Sequence, residues 1–270
     1  MSKNSIQKVV NAIQKFYPIA LADKSWDNTG LLVESSNAHE VPKILLTIDL
    51  TQSVADEAIS KNVNFIIAYH PFIFRGLKSI TSNDPQQRSL IKLIQNNINV
   101  YCPHTAVDSA KGGVNDFLVD GITKGYKVES STPIEQDSNE PDCGMGRLVK
   151  LQNPVGLQEL VANVKSSLGL KYVQVATSDK QKQISSIAVC AGSGGGVFKT
   201  VKADLYYTGE LSHHEALYFK ESGSAVICCN HSNTERAFLK VIQQQLRDEL
   251  QVEDQQVLIS ETDKDPLETW

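Results

Sequence analysis

Five of the six histidines fall in three short segments far apart in the chain: Tyr69-His70-Pro71, His104-Thr105-Ala106-Val107-Asp108, and His213-His214 followed by His231-Ser232-Asn233-Thr234-Glu235. Two of these set a carboxylate four residues after a histidine, His104 with Asp108 and His231 with Glu235. Imidazole nitrogens and carboxylate oxygens together bind divalent metal ions. The pattern therefore points to a metal site assembled by the fold.

Each segment also has a plainer reading. His70 stands before Pro71, which keeps its backbone extended, and a lone histidine there can equally be a partly buried structural residue. His104 and Asp108 could share an ion, or Asp108 could ligate while His104 supports it, or Asp108 could cap the following turn. If Ser232 or Asn233 caps the next helix, Glu235 falls in its first turn with His231 just ahead, facing a metal or satisfying free backbone N–H groups. His213 and His214 are adjacent and point apart on a helix, so they do not share one ion as an i, i+4 pair would. His39, beside Glu40, reads as a surface residue. The run Gly192-Ser193-Gly194-Gly195-Gly196 could cradle a phosphate or simply form a flexible turn; Val197 stands where a dinucleotide fingerprint needs its third glycine.

The elements that must position these groups read as an α/β fold of sheets covered by helices. Val9 to Phe16 has helical spacing, and Leu31 to Val33 follows as a strand. Strand-like runs at Ile44–Ile48, Val63–Ala68 and Ile98–Tyr101 alternate with helical ones at Val54–Ser60 and Leu90–Ile94. Residues 131–142 are polar and read as a linker or surface loop between an N-terminal half, 1–130, and a C-terminal half, 143–270, although one intertwined domain fits as well. In the second half, strands are expected at Arg147–Lys150, Val173–Ala176, Ile184–Cys190, Leu205–Tyr207 and Ala225–Cys229. Helices are expected at Leu157–Leu168, Glu210–Lys220 and Thr234–Leu250. His70, His104 and His231 each follow a predicted strand, and ligand sites in open α/β sheets gather at the strands' C-terminal ends.

Composition narrows the partners. A net charge of -5 with scattered Lys and Arg argues against direct nucleic-acid binding. No continuous apolar run suggests a membrane span or secretory signal, so a cytoplasmic protein is expected, with a nuclear or mitochondrial location also open. Five cysteines without a CxxC pair read as reduced core residues.

In order and in residue, Trp26-Asp27-Asn28-Thr29-Gly30-Leu31, Tyr69-His70-Pro71, His104 to Asp108, Gly192-Ser193-Gly194, Thr208 to His214 and His231 to Glu235 resemble the Ngg-one-interacting-factor-three-like family, also known as the GTP cyclohydrolase I type 2 homologue family. This chain looks like the short form without an inserted domain. The resemblance implies two similar α/β halves around a dinuclear metal centre at strand C-terminal ends, assembled as a homohexameric ring. It implies two divalent ions (Zn, Mn, Fe or Mg): His70 and Asp108 on one, His231 on the other, Glu235 bridging both. His104 matches a family histidine at the edge of the ligand set or just outside it. Many bacterial members have a metal-binding histidine where this chain has Tyr69, and a neutral phenol is a poorer ligand. The expected function is a metal-dependent hydrolase of a nucleotide, a phosphorylated compound or a cyclic amide, with His104 able to transfer a proton. The alternative is a metal-dependent scaffold that interacts with a transcriptional adaptor.

Overall fold

The computed structural model describes residues 2–35 and 42–269, so His39 and Glu40 lie outside the described residues. The chain divides into two compact units, each discontinuous in sequence: Met1–Val107 with Leu239–Lys264, and Asp108–Phe238 with Asp265–Trp270. Residues 131–142 fall within the second unit.

In chain order the first stretch contains α1 (Ser2–Phe16), β1 (Gly30–Val33), β2 (Ile44–Thr47), α2 (Gln52–Ser60), β3 (Phe65–Ala68), α3 (Pro85–Gln95), β4 (Asn99–Cys102) and α4 (Thr105–Ser109). The middle stretch continues with α5 (Val114–Ile122), β5 (Val128–Thr132), β6 (Glu135–Gln136), β7 (Gly144–Met145), β8 (Arg147–Gly156), α6 (Leu157–Leu168) and β9 (Gln174–Ala176). It goes on through β10 (Gln183–Ser193), α7 (Gly195–Phe198), β11 (Leu205–Glu210), α8 (His213–Glu221), β12 (Ala225–Cys228) and α9 (Asn233–Arg236). The chain closes with α10 (Leu239–Leu250) and β13 (Val257–Ile259).

The first unit is built on a five-stranded sheet in the order β1-β4-β3-β2-β13. Strands β4, β3, β2 and β13 run parallel, and β1 adds an antiparallel edge. All four residues of β2, β3 and β4 are buried, as expected of parallel strands covered on both faces, which explains their mostly apolar runs. Thr51 caps α2 through its side chain and Asp84 caps α3, where Pro85 fits the first helical position.

The second unit carries a six-stranded sheet, β5-β8-β10-β11-β12-β9, with β10, β11 and β12 parallel. Its supports are polar and buried. Arg147, 2% exposed, binds both carboxylate oxygens of Asp116 at 2.6 and 3.0 Å and donates to the carbonyls of Ala110, Gly144 and Gly146.

Three sequence expectations are corrected. The stretch read as a linker contains strands: β5 pairs with β8 and β6 with β7, held by backbone bonds while most of their side chains face solvent, so no apolar pattern marks them. The helix expected from Glu210 starts at His213, because Glu210 ends β11 and Ser212 forms a capping box with Glu215. The helix expected over 234–250 is two: the Phe238 N–H bonds to the Glu235 carbonyl, three residues back, and this tightened turn separates α9 from α10. Among the described residues no helix is long and apolar enough to cross a membrane. All five cysteines are buried, and among the described residues none is in a disulfide.

One buried carboxylate fastens the returning C-terminal segment to the first unit. Glu57 on α2 accepts bonds from Lys61 Nζ (2.8 Å), Ser260 Oγ (2.6 Å), the Glu261 N–H (3.0 Å) and Thr262 Oγ1 (2.8 Å). Burial raises its pKa, but these donors outweigh burial and bring it from 4.5 down to about 2. A depressed folded-state pKa contributes stability that is complete above 4.5 and is lost as pH falls toward about 2. Glu57→Gln is expected to cost about 2 kcal/mol at pH 7. In denaturant titrations, the gap between wild type and variant should close as pH falls through that window, and a pH-independent gap would show that the charge is immaterial.

Candidate metal centre

In the first unit, three parallel strands deliver a row of polar groups to their C-terminal ends. Asp49, His70 and His104 each stand two residues beyond the end of β2, β3 and β4, which are neighbours in that order. The row is held by extensions of the ladder: the Tyr69 N–H bonds to Thr47 O, that of His70 to Ile48 O, and that of His104 to Tyr69 O. Asp49 Oδ1 lies 2.9 Å from His70 Nδ1. The His70 and His104 rings meet edge to face with centroids 5.4 Å apart. Tyr69 is buried against both histidines.

His104 takes φ +30°, a left-handed conformation that costs a residue with a side chain about 1–3 kcal/mol. Its Nδ1 is 2.7 Å from Asp27 Oδ1, and the other oxygen of Asp27 accepts from the Thr105 hydroxyl at 2.5 Å. Burial pushes the Asp27 pKa up, yet the bond to His104, that histidine's charge and the Thr105 bond prevail and hold it below the ordinary carboxylate value. A carboxylate on Nδ1 fixes the ring and leaves the Nε2 lone pair as the donor of a neutral imidazole.

The second unit repeats this device. His231 follows β12, and Glu210, at the end of neighbouring β11, meets His231 Nδ1 at 2.8 Å. On the other side of the ring, His231 Nε2 lies 3.5 Å from Oε1 of Glu235, which is 3% exposed. Ser232 stands at the head of α9 without a side-chain cap; its hydroxyl binds Asp265 instead.

Gly192, at the exit of β10, closes over this pair. A Cβ there would lie 2.8 Å from His231 Nε2 and 3.0 Å from Glu235 Oε1, and its φ of +64° also favours glycine. Thr234 Oγ1 accepts from the Gly192 N–H (2.9 Å) and donates to the His231 carbonyl (2.7 Å), while Thr208 Oγ1 donates to the Gly192 carbonyl (3.0 Å). Fully buried Asn115 extends the chain, bonding the Ala191 N–H and the Asp108 carbonyl, each at 2.9 Å. Asp108 is buried on α4. Burial raises the pKa of the Cys190 thiol strongly, and the charges of Asp108, Glu135 and Glu235 push it further.

His70 in the first unit, and His231 with Glu235 in the second, offer nitrogen and oxygen donor atoms suited to a metal ion. The histidines at strand ends divide between two sheets, His70 and His104 on one and His231 on the other. His213 and His214 are exposed at the start of α8, with rings 5.2 Å apart and crossed at 80°.

The glycine run does not form the phosphate cradle that its composition allowed. The N–H groups of Gly192 and Gly194 are taken by Thr234 and Thr208, and the Glu215 carboxylate covers Gly195, where a Cβ would meet it at 2.3 Å. The carboxylates Asp27, Asp49 and Glu210 and the buried Asn115, Thr208 and Thr234 were not singled out from sequence. For Asp49 the available signal was its place two residues past a strand, the same offset as His70 and His104.

The sequence matches the family Duf34/NIF3 (NGG1p interacting factor 3) over residues 4–266. NGG1-interacting factor 3 of Saccharomyces cerevisiae is 50% identical, with 99% of this chain and 98% of that protein aligned. NIF3-like protein 1 of Homo sapiens is 32% identical over 97% of this chain and 92% of its own length. Among solved structures, Staphylococcus aureus protein SA1388 superposes with a TM-score of 0.83 at 26% identity, covering 98% of this chain and 99% of that one. Reduced HcgD from Methanocaldococcus jannaschii gives 0.79 at 27% identity, covering 97% and 98%. The mixed α/β fold, the histidine segments and the full-length similarity agree with the sequence resemblance: the chain belongs to the Duf34/NIF3 family.

Proposed function

We propose that the protein is a metal-dependent hydrolase with a dinuclear centre, in which His70 and Asp108 hold one divalent ion, His231 holds the other and Glu235 bridges them. The observation that carries this reading is the His231 pair. Its Nδ1 is fixed by Glu210, its Nε2 faces a buried carboxylate, and a glycine closes over both where no Cβ fits. His70 has the same carboxylate backing from Asp49. Asp108 is included as the family resemblance implies, and it is buried on α4 with its carbonyl held by Asn115. A nitrogen and oxygen donor set suits Zn, Mn or Fe, with Mg the weakest fit because of the imidazoles.

Bound ions of this kind lower the pKa of a coordinated water and clamp the oxygens of a displaced group. The chain's own residues supply the rest. Glu210 and Asp49 hold the histidine rings in place, and Asp27 orients the His104 ring, which suits that residue to carry a proton during hydrolysis. Suitable substrates are nucleotides, other phosphorylated compounds and cyclic amides. A second reading is favoured by the name of the yeast relative, NGG1-interacting factor 3: a metal-dependent scaffold, assembled as a hexameric ring, that binds a transcriptional adaptor. Under that reading His231→Ala would abolish partner capture or ring assembly in light scattering while no substrate is turned over.

Metal analysis tests the centre directly. Wild type is expected to take up two ions at high metal concentration with unequal affinity, because Tyr69 offers a neutral phenol. His70→Ala, His231→Ala and Glu235→Gln should each lose at least one ion per chain, and unchanged metal content in all three would sink the assignment.

The backing carboxylate gives a second test. Glu210→Gln should weaken metal binding about tenfold to a hundredfold by calorimetry with the melting temperature little changed. Equal affinity would mean that Glu210 does not position the ligand.

A further inference from the structure

Two large aromatic side chains stand half exposed next to the histidine row, Trp26 at 51% and Phe74 at 46%. Single exposed aromatics are ordinary, but these two are fixed in place. Three residues before Trp26, the Asp23 carboxylate fixes the turn by holding the Ser25 N–H at 2.8 Å and the Ser25 hydroxyl at 2.6 Å. The Asp23 N–H is held in turn by Thr105 Oγ1 at 2.9 Å, beside His104. The Trp26 ring packs edge to face on His104, with centroids 5.6 Å apart. Phe74 lies 6.2 Å from Trp26, tilted by 59°. The loop that carries it is tied to the Trp26 turn by a bond from Asn28 Nδ2 to the Ile73 carbonyl, and it is braced by one from Gln86 Nε2 to the Phe72 carbonyl.

A pinned, solvent-facing aromatic pair in contact with a candidate proton carrier is built to receive something flat. Charge narrows the class further. Arg75 and Lys78, in the same loop as Phe74, are exposed and form no ion pair among the described residues. We infer that Trp26 and Phe74 receive a planar heteroaromatic ring bearing an anionic group, stacking it beside His104 with Arg75 and Lys78 on the anion. The inference rests on the metal-centre reading for what the ring is presented to, and stands apart from it for the binding itself. Stacking on an aromatic side chain is strong enough, and tolerant enough of ring type, to act as such a platform.

The test uses the full chain with Trp270→Phe, which leaves Trp26 as the remaining one of two tryptophans. Its fluorescence is titrated with adenosine, guanosine and cytidine 5′-monophosphates and with ribose 5-phosphate, which has the anion without the ring. Each titration is run with zinc and again with chelator. At least one ring-bearing probe should quench Trp26 while ribose 5-phosphate does not, and Phe74→Leu should weaken that binding about tenfold. Arg75→Gln should weaken the nucleotide and leave the parent nucleoside unaffected. Absence of quenching by every ring probe, or equal binding by the Phe74 variant, would overturn the inference. So would a Trp26→Leu variant that changes oligomeric state while binding the probes as before by calorimetry, since the face would then be a subunit contact. Loss of zinc binding alone counts against the metal centre and not against the platform, because the chelator series reads the ring without metal.

Discussion

Much of the second unit depends on how closely the backbone can approach at Gly192. That residue leaves β10 in a left-handed conformation with its N–H held by Thr234 and its carbonyl held by Thr208. Two threonine hydroxyls thus fix the distance between a strand exit and the turn bearing His231 and Glu235. Asn115 carries the same register to the Asp108 backbone. The close approach tolerates no side chain at Gly192, and Gly209 is equally restricted, since a Cβ there would lie 2.6 Å from the Gly192 carbonyl. Buried polar groups linked in this way hold a unique geometry because each broken link leaves another group unsatisfied.

Both sheets solve the same problem at their parallel strand ends. A histidine leaves one strand, a carboxylate leaves its neighbour, and the short bond between them sets the ring. The arrangement needs parallel strands in register, because adjacent exits then lie at one edge and side chains far apart in sequence become neighbours. His104 is the variant case, oriented by Asp27 from the turn before β1 and held at a costly φ.

What could be read from sequence follows from this architecture. The parallel strands were legible because burial on both faces makes them mostly apolar, and His70, His104 and His231 stood out because each follows such a run. Asp49 and Glu210 were not, since an acid beyond a strand looks like any loop residue, and Glu210 also resembled the start of a helix. The strands at 128–136 escaped because backbone pairing with outward side chains leaves no apolar period. Arg147 reads as a charge inside a strand, and its burial becomes intelligible once Asp116 and three carbonyls are found around it. The glycine run misled in the other direction, because composition does not reveal that its N–H groups are already engaged.

The path of the chain has a consequence for the order in which the molecule can be made. Strand β13, which covers the β2 edge, lies at 257–259, and α10 immediately precedes it. During synthesis the other four strands of that sheet emerge long before their last partner. The backbone groups along β2 stay open for most of translation, in a segment of four apolar-rich residues with no charge. Such an edge invites pairing with another nascent chain. A chain that stops after Ile259 still carries β13, whereas one that stops before Val257 leaves the β2 edge permanently unprotected.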